Sequence, residues 1–181
     1  MNKLKIIRGL FAQKYASRII FLGPKRYCEY IFFQRILRIN SHVSWPVHWS
    51  STVTHPKKIK QKSELPYLGH HFGCYIQANN GIEVGLNLRY GPNVHIISAN
   101  HDLDDYEKHP SMSPIIIGDN CWIGAGSILL PGVVLANHVV VAAGSVVTKS
   151  FTEDNVLIGG TPARVIKHLN CYKGKYNGIE R

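Results

Sequence analysis

Ten histidines are scattered through this chain, and His101 stands apart by its setting. It lies in Asn100-His101-Asp102, where the polar run 98–110 departs from an otherwise regular pattern of aliphatic residues. An imidazole titrates near neutrality, so a histidine on such a loop suits proton transfer to or from a bound molecule. The loop acids Asp102, Asp104, Asp105 and Glu107 follow it, and Asp102 is the nearest candidate to orient the ring or touch a substrate. His42, His48, His55, His70, His71, His95, His109, His138 and His168 read as structural or surface residues. Cys28, Cys74, Cys121 and Cys171 are far apart and form no Cys-x-x-Cys pair. A structural zinc site is therefore not expected, and the thiols fit a reducing, cytoplasmic compartment.

The element that must hold His101 is written in a period of six. Ile117, Ile123, Leu129, Leu135, Val141 and Val147 are all aliphatic, and the residues four further on, from Cys121 to Ser145, are small or β-branched. Upstream, Phe72, Ala78, Val84, Tyr90 and Ile96 keep the same count, with Ile76, Ile82, Leu88 and Val94 between them. A weaker phase, Val47, Val53 and Ile59, begins the pattern near residue 43. Six matches neither the helical period nor simple strand alternation. It fits short strands joined by tight turns, each hexad one wall of a coil whose inward residues stack on those of its neighbours. The phase breaks once, between Ile96 and Ile117, where the loop leaves the wall. The array is expected to end near Val147, followed by a short closing helix over 162–169 with Thr161 as its N-cap.

The ends differ from the middle. Of 181 residues (20.3 kDa), the first 62 hold 13 of the 21 Lys and Arg with Glu29 as their one acid. Leu4, Ile7, Phe11, Tyr15, Ile19 and Leu22 share one helical face, Gly23-Pro24 breaks it, and a second helical stretch covers 25–39. Such basic helices suit an anionic membrane surface, or else pack on the solenoid or a neighbouring subunit. No nucleic-acid reading motif accompanies the charge, so nucleic acid is not expected as a partner. No uninterrupted apolar run reaches the length of a membrane span. The expected organisation is a basic amphipathic helical extension over 1–42, a β-helix over 43–160 with an excursion at about 98–114, and a cap and tail over 161–181.

Several segments together resemble the hexapeptide-repeat acyltransferases: the hexads, the His-bearing loop, Asn120-Cys121-Trp122-Ile123-Gly124, Ala142-Ala143-Gly144-Ser145-Val146-Val147-Thr148-Lys149, and Gly159-Gly160-Thr161-Pro162-Ala163-Arg164-Val165-Ile166. Within that family the likeness is to the galactoside/maltose O-acetyltransferase branch and its relatives that modify surface polysaccharides. It spans about 43–169 and implies a mainly β fold, a left-handed parallel β-helix. It further implies a homotrimer with active sites between subunits, and acetyl-CoA as donor with no metal. By that resemblance His101 is the base that takes the acceptor hydroxyl's proton. The same likeness assigns backbone contacts with the pantetheine arm to Ala125 and Ala143. Thr148, Lys149, Arg164 and Lys167 are then the contacts for the anionic end of CoA. Ala125 departs from the serine of galactoside-type relatives, a change that a backbone contact survives.

Asn79 and Asn80, near where sugar-acetylating relatives carry an acid, are with Asp102 the candidate acceptor contacts. The expected function is an O-acetyltransferase acting on a sugar of a cell-surface glycan, cytoplasmic or peripheral at the inner membrane face. Three other readings use the same repeat: a γ-carbonic-anhydrase-like metal enzyme, a non-catalytic scaffold, and an acyltransferase for serine, antibiotics or amino sugars. The metal reading needs closely spaced histidines two coils apart, and only the isolated His138 follows His101 at a comparable offset.

Overall fold

In the computed structural model, which describes residues 19–63 and 66–174, the hexads wind into a left-handed parallel β-helix of triangular section. The first wall holds β1 (Thr52–Thr54), β3 (Tyr75–Gln77), β6 (His95–Ile97), β9 (Ile128–Leu129) and β12 (Val146–Val147). The second holds β2 (Ile59–Gln61), β4 (Ile82–Val84), β7 (Ile115–Ile117) and β10 (Val134–Leu135). The third holds β5 (Arg89–Tyr90), β8 (Trp122–Ile123), β11 (Val139–Val141) and β13 (Val156–Gly160), with β14 (Ala163–His168) at its edge.

Period six becomes a prism because each wall buries two residues that flank an outward one. In β7, Ile115 and Ile117 are buried while Ile116 faces out. Ile117, Ile123, Leu129, Leu135, Val141 and Val147 are all buried, as are Cys121, Ser127, Val133, Val139 and Ser145. In the regular coils a residue pairs with the one 18 positions on, as Ile128 does with Val146. At the corner between the second and third walls, Asn87, Asn120, His138 and Asn155 take the left-handed conformation, with φ of 55°, 59°, 53° and 60°. Asparagine tolerates this region better than most side chains. The Asn87 amide also donates to Asn120 Oδ1 (2.9 Å) and to the Tyr172 hydroxyl (2.8 Å), which ties the C-terminal tail along that corner.

Three expectations fail, each for a local reason. Phe72 is exposed, and Cys74 and Ile76 point inward in its place. The corner after β3 holds two extra residues, since Ile76 pairs with Ile96, 20 positions on, so a strict count of six lands early on Phe72. The array also runs beyond Val147: Phe151 bridges to Leu135 on the second wall, and β13 completes the third. The expected closing helix is instead β14, antiparallel to β13, and Thr161-Pro162 lies in the turn between them with a cis peptide bond. The last coil leaves one strand edge of backbone donors and acceptors unpaired, and a strand satisfies that edge where a helix could not.

The first expected helix falls on residues outside those described, apart from 19–22, which are helical. Gly23 (φ 76°) then bends the chain into α1 (Pro24–Tyr30), which continues as a π-helical turn over Ile31–Ile36. One face of this arm docks on the first coil. Buried Gln34 donates from Nε2 to the carbonyls of Asn40, Val43 and Trp45, and its Oε1 accepts from the Val47 N–H. Phe21 packs edge-on against Tyr67, with ring centroids 5.6 Å apart. Among the described residues, no helix is long and apolar enough to cross a membrane.

Candidate functional site

The loop that carries His101 leaves the first wall after β6 and returns at β7, which places it on the corner between the first and second walls. Its base is clasped by the coil before it. Gln77, at the end of β3, accepts from the Ala99 N–H (2.9 Å) and donates to the Ala99 carbonyl (3.1 Å). Asn80 donates its backbone N–H to Ser98 Oγ and its side-chain amide to the Ser98 carbonyl (3.0 Å). That amide also reaches the Pro110 carbonyl at 3.4 Å, so one side chain spans both arms of the loop. Gln77 was not a sequence candidate. Its only signal is a long carboxamide at the end of a wall strand, just before the corner.

Inside the loop, Asp102 folds the chain back. Its Oδ1 accepts from the N–H groups of Asp104 (2.9 Å) and Asp105 (3.1 Å), and its own N–H donates to the Lys108 carbonyl. Lys108 pairs with Asp105 at 2.9 Å. This fold brings the Tyr106 carbonyl onto His101 Nδ1 at 2.5 Å. A carbonyl can only accept, so Nδ1 carries the proton and Nε2 of the neutral ring holds a free lone pair. The orienting group is thus a backbone oxygen rather than a loop acid. His101 itself is exposed, and its ring lies 4.3 Å from that of His109. Among the described residues, no group of three or more His, Cys, Asp and Glu is arranged to hold a metal ion.

The remaining candidates fall on three surfaces. Ala125 and Ala143 are exposed on the corner between the third and first walls, in a column with Gly91, Gly124, Gly126, Gly144 and Gly160. The coils there are in backbone contact: a Cβ on Gly124 would lie 2.5 Å from Ala143 N, and one on Gly91 would lie 2.8 Å from Ala125 Cα. The Gly144 N–H donates to the Ala125 carbonyl at 2.9 Å, which holds successive coils in step. This leaves a strip with almost no side chains. Thr148 and Lys149 follow β12 and so share the His101 corner, together with Asn79 and Asn80. Asn79 accepts from Lys58 Nζ through its carbonyl. Arg164 and Lys167 are exposed on β14, opposite Gly159 and Leu157. Trp122 faces outward on the third wall between Arg89 and Val140, 58% exposed. Within one chain the first wall separates His101 from the strip of Ala125 and Ala143.

Comparison with known proteins gives the same outline. A family model described as the hexapeptide repeat of succinyl-transferase matches residues 114–149. A galactoside O-acetyltransferase of Lactococcus lactis is 40% identical over 111 residues, 55% of this chain and 53% of that protein. A putative acetyltransferase of Dictyostelium discoideum is 50% identical over 110 residues, 55% of this chain and 57% of its own. The chain spans about half the length of the curated relatives it matches. Among solved structures, a maltose O-acetyltransferase from Clostridium difficile superposes with a TM-score of 0.58 at 32% identity, covering 66% of this chain and 64% of its own. A hexapeptide-repeat acetyltransferase from Vibrio cholerae, solved with acetyl-CoA, gives a TM-score of 0.55 at 25% identity over 84% of this chain and 89% of that one.

Proposed function

We propose that the chain is a hexapeptide-repeat acyltransferase, an acetyl-CoA-dependent O-acetyltransferase acting on a sugar hydroxyl, a reading supported by the hexapeptide-repeat match and by the galactoside and maltose O-acetyltransferases it resembles. The observation that carries this reading is the His101 ring, anchored through Nδ1 and open at Nε2. Nε2 takes the proton of the acceptor hydroxyl as its oxygen attacks the thioester carbon. The C–S bond then breaks, CoA leaves as the thiol, and the imidazolium supplies its proton. No covalent acyl-enzyme is needed. Charge developing on the thioester oxygen calls for a donor, and backbone N–H groups of the coil corners are the simplest source, each worth about 3 kcal/mol in such sites.

The donor is drawn along the Ala125–Ala143 strip, where the absence of side chains admits a thin pantetheine arm to backbone groups. The acetyl-CoA in the Vibrio cholerae relative supports acetyl-CoA as the donor. Arg164 and Lys167 lie at the far edge of the same wall and meet the anionic end, while Thr148 and Lys149 serve from the other corner. Because the first wall divides base from strip, a homotrimer that sets one chain's His101 corner against its neighbour's strip is the arrangement that completes the site. Asn79 and Asp102 remain the acceptor contacts, and Asn80 acts chiefly by holding the loop. The acceptor class, a sugar of a cell-surface polysaccharide, rests on the galactoside and maltose acetyltransferases among the relatives.

Mixed subunits test the reading. Chains carrying His101→Ala and chains carrying Ala143→Trp are each expected to release little CoA thiol from acetyl-CoA with a sugar acceptor. Co-assembled, they are expected to regain activity in those sites that take His101 from one chain and the strip from the other. Mixed assemblies as inert as the parents would overturn the shared site. Failure of the unaltered chain to release thiol with any sugar acceptor would overturn the activity.

A further inference from the structure

The arm buries only one of its faces. Tyr30 and Gln34 turn into the first coil, and Tyr27 and Ile31 are half-buried beside them. The opposite face carries Phe32 and Ile36, four residues apart and 47% and 65% exposed, with Leu37 at its end (50%) and Ile39 (39%) beyond the left-handed turn at Arg38. Before the bend, Ile20 is 83% exposed. Lys25, Arg35 and Arg38 stand exposed along the same outward side. Arg35 lies back along Tyr30, whose hydroxyl accepts from its guanidinium. The one acid of the arm, Glu29, is half-buried among Arg26, Tyr30 and His48. The outward surface is therefore apolar and cationic at once, with the half-buried Glu29, drawn toward His48, at its edge. A helix with apolar residues on both faces, only one of them packed, has a second apolar surface to dock.

We infer that this face seats the protein on an anionic lipid bilayer. Charge complementarity decides between a bilayer and another protein surface. Residues 1–62 hold 13 Lys and Arg against Glu29, whereas the rest of the chain is nearly balanced. At a bilayer surface, Phe32, Ile36, Leu37 and Ile39 enter the acyl boundary while Lys25, Arg35 and Arg38 stay among the phosphates, so both halves of the face are satisfied together. The docking of Gln34 and Phe21 on the first coil holds the face rigid at one end of the prism, so binding costs little ordering of the described helix. This inference stands apart from the acyl-transfer reading, because its measurement needs neither donor nor acceptor.

The test is co-sedimentation of the full chain with vesicles of phosphatidylcholine alone, and with about one third phosphatidylglycerol. Binding to the anionic vesicles at low salt is expected, at least about tenfold weaker on neutral ones and released as salt is raised. Phe32→Glu with Ile36→Glu should cut anionic-vesicle binding by about tenfold or more, with the melting temperature unchanged because both side chains are exposed. Lys25→Gln with Arg38→Asn should weaken binding similarly without altering the apolar row, and asparagine tolerates the φ of 63° at position 38. No binding, equal binding to both vesicle types, or binding indifferent to both double variants would overturn the inference. A change of native mass in vesicle-free solution caused by Phe32→Glu with Ile36→Glu would also overturn it, since the face would then be a contact between copies.

Discussion

The two edges of the first wall are built from opposite materials. On one, Gly91, Ala125, Ala143 and Gly160 leave backbone stacked on backbone, and the coils are held by bonds such as Gly144 N–H to the Ala125 carbonyl. On the other, the chain leaves the wall altogether, and side chains hold it: Gln77 and Asn80 grip the base, while Asp102 folds the tip. The same repeat thus supplies a strip nearly free of side chains and a scaffold for a single oriented imidazole, the two parts that the proposed acyl transfer would use. The smooth edge needs the repeat to be kept, and the chemical edge needs it to be broken.

The largest effect expected is at the broken edge. His101→Ala removes the proposed base and should lower kcat by about 10²–10⁴-fold, with an unchanged circular dichroism spectrum because the ring is exposed. A full retention of activity would take His101 out of the chemistry. At the smooth edge, Ala143→Leu puts an exposed side chain into the track. It should raise the KM for acetyl-CoA by about tenfold, or about 1.4 kcal/mol, and leave the melting temperature alone. An unchanged KM would mean the arm runs elsewhere. Gln77→Leu keeps the wall but orphans the buried Ala99 N–H and carbonyl, at about 1–3 kcal/mol of stability. Its signature is kcat reduced several-fold (about 1 kcal/mol of lost orientation) with the donor KM unmoved, which a merely destabilised solenoid would not show.

A change away from both edges supplies the baseline. Beneath the arm, burial pushes His70 down to about 3, helped by its neighbour His71. Its Nδ1 sits 2.7 Å from the Tyr67 carbonyl and 2.6 Å from the Tyr90 hydroxyl. Between pH 6.5 and about 3 the unfolded chain binds a proton that the folded chain refuses, so stability falls as pH is lowered through that window. The slope from this one group is at most about 1.4 kcal/mol per pH unit. His70→Gln should flatten urea-melt stability between pH 6.5 and 4 relative to the unaltered chain. An identical pH slope would show that His70 does not carry it.

Much of the core could be read from residue spacing because burial in a coil repeats locally. Ile117 through Val147 needed only a count of six. Phe72 misled because two extra residues at the corner after β3 leave no mark on a strict period. Residues 162–169 misled because Thr161 and Pro162 are a good helix start in isolation, whereas the open edge of β13 calls for a strand. At the site, the position of His101 was legible as a break in phase. Its anchor was not, since a backbone carbonyl has no residue type to reveal it.

What the chain determined by itself was the repeat, its interruption at 98–114, and the crowding of cations before residue 63. Each of these is a matter of near neighbours. Only the folded prism decided which candidates share a corner, that His101 and Ala143 face opposite edges of one wall, and that Gln77 reaches Ala99. Those relations join residues a full coil or more apart, as when His95 pairs with Ile128 across the excursion. They follow from how many residues each corner consumes, a quantity that depends on packing between coils rather than on any local preference.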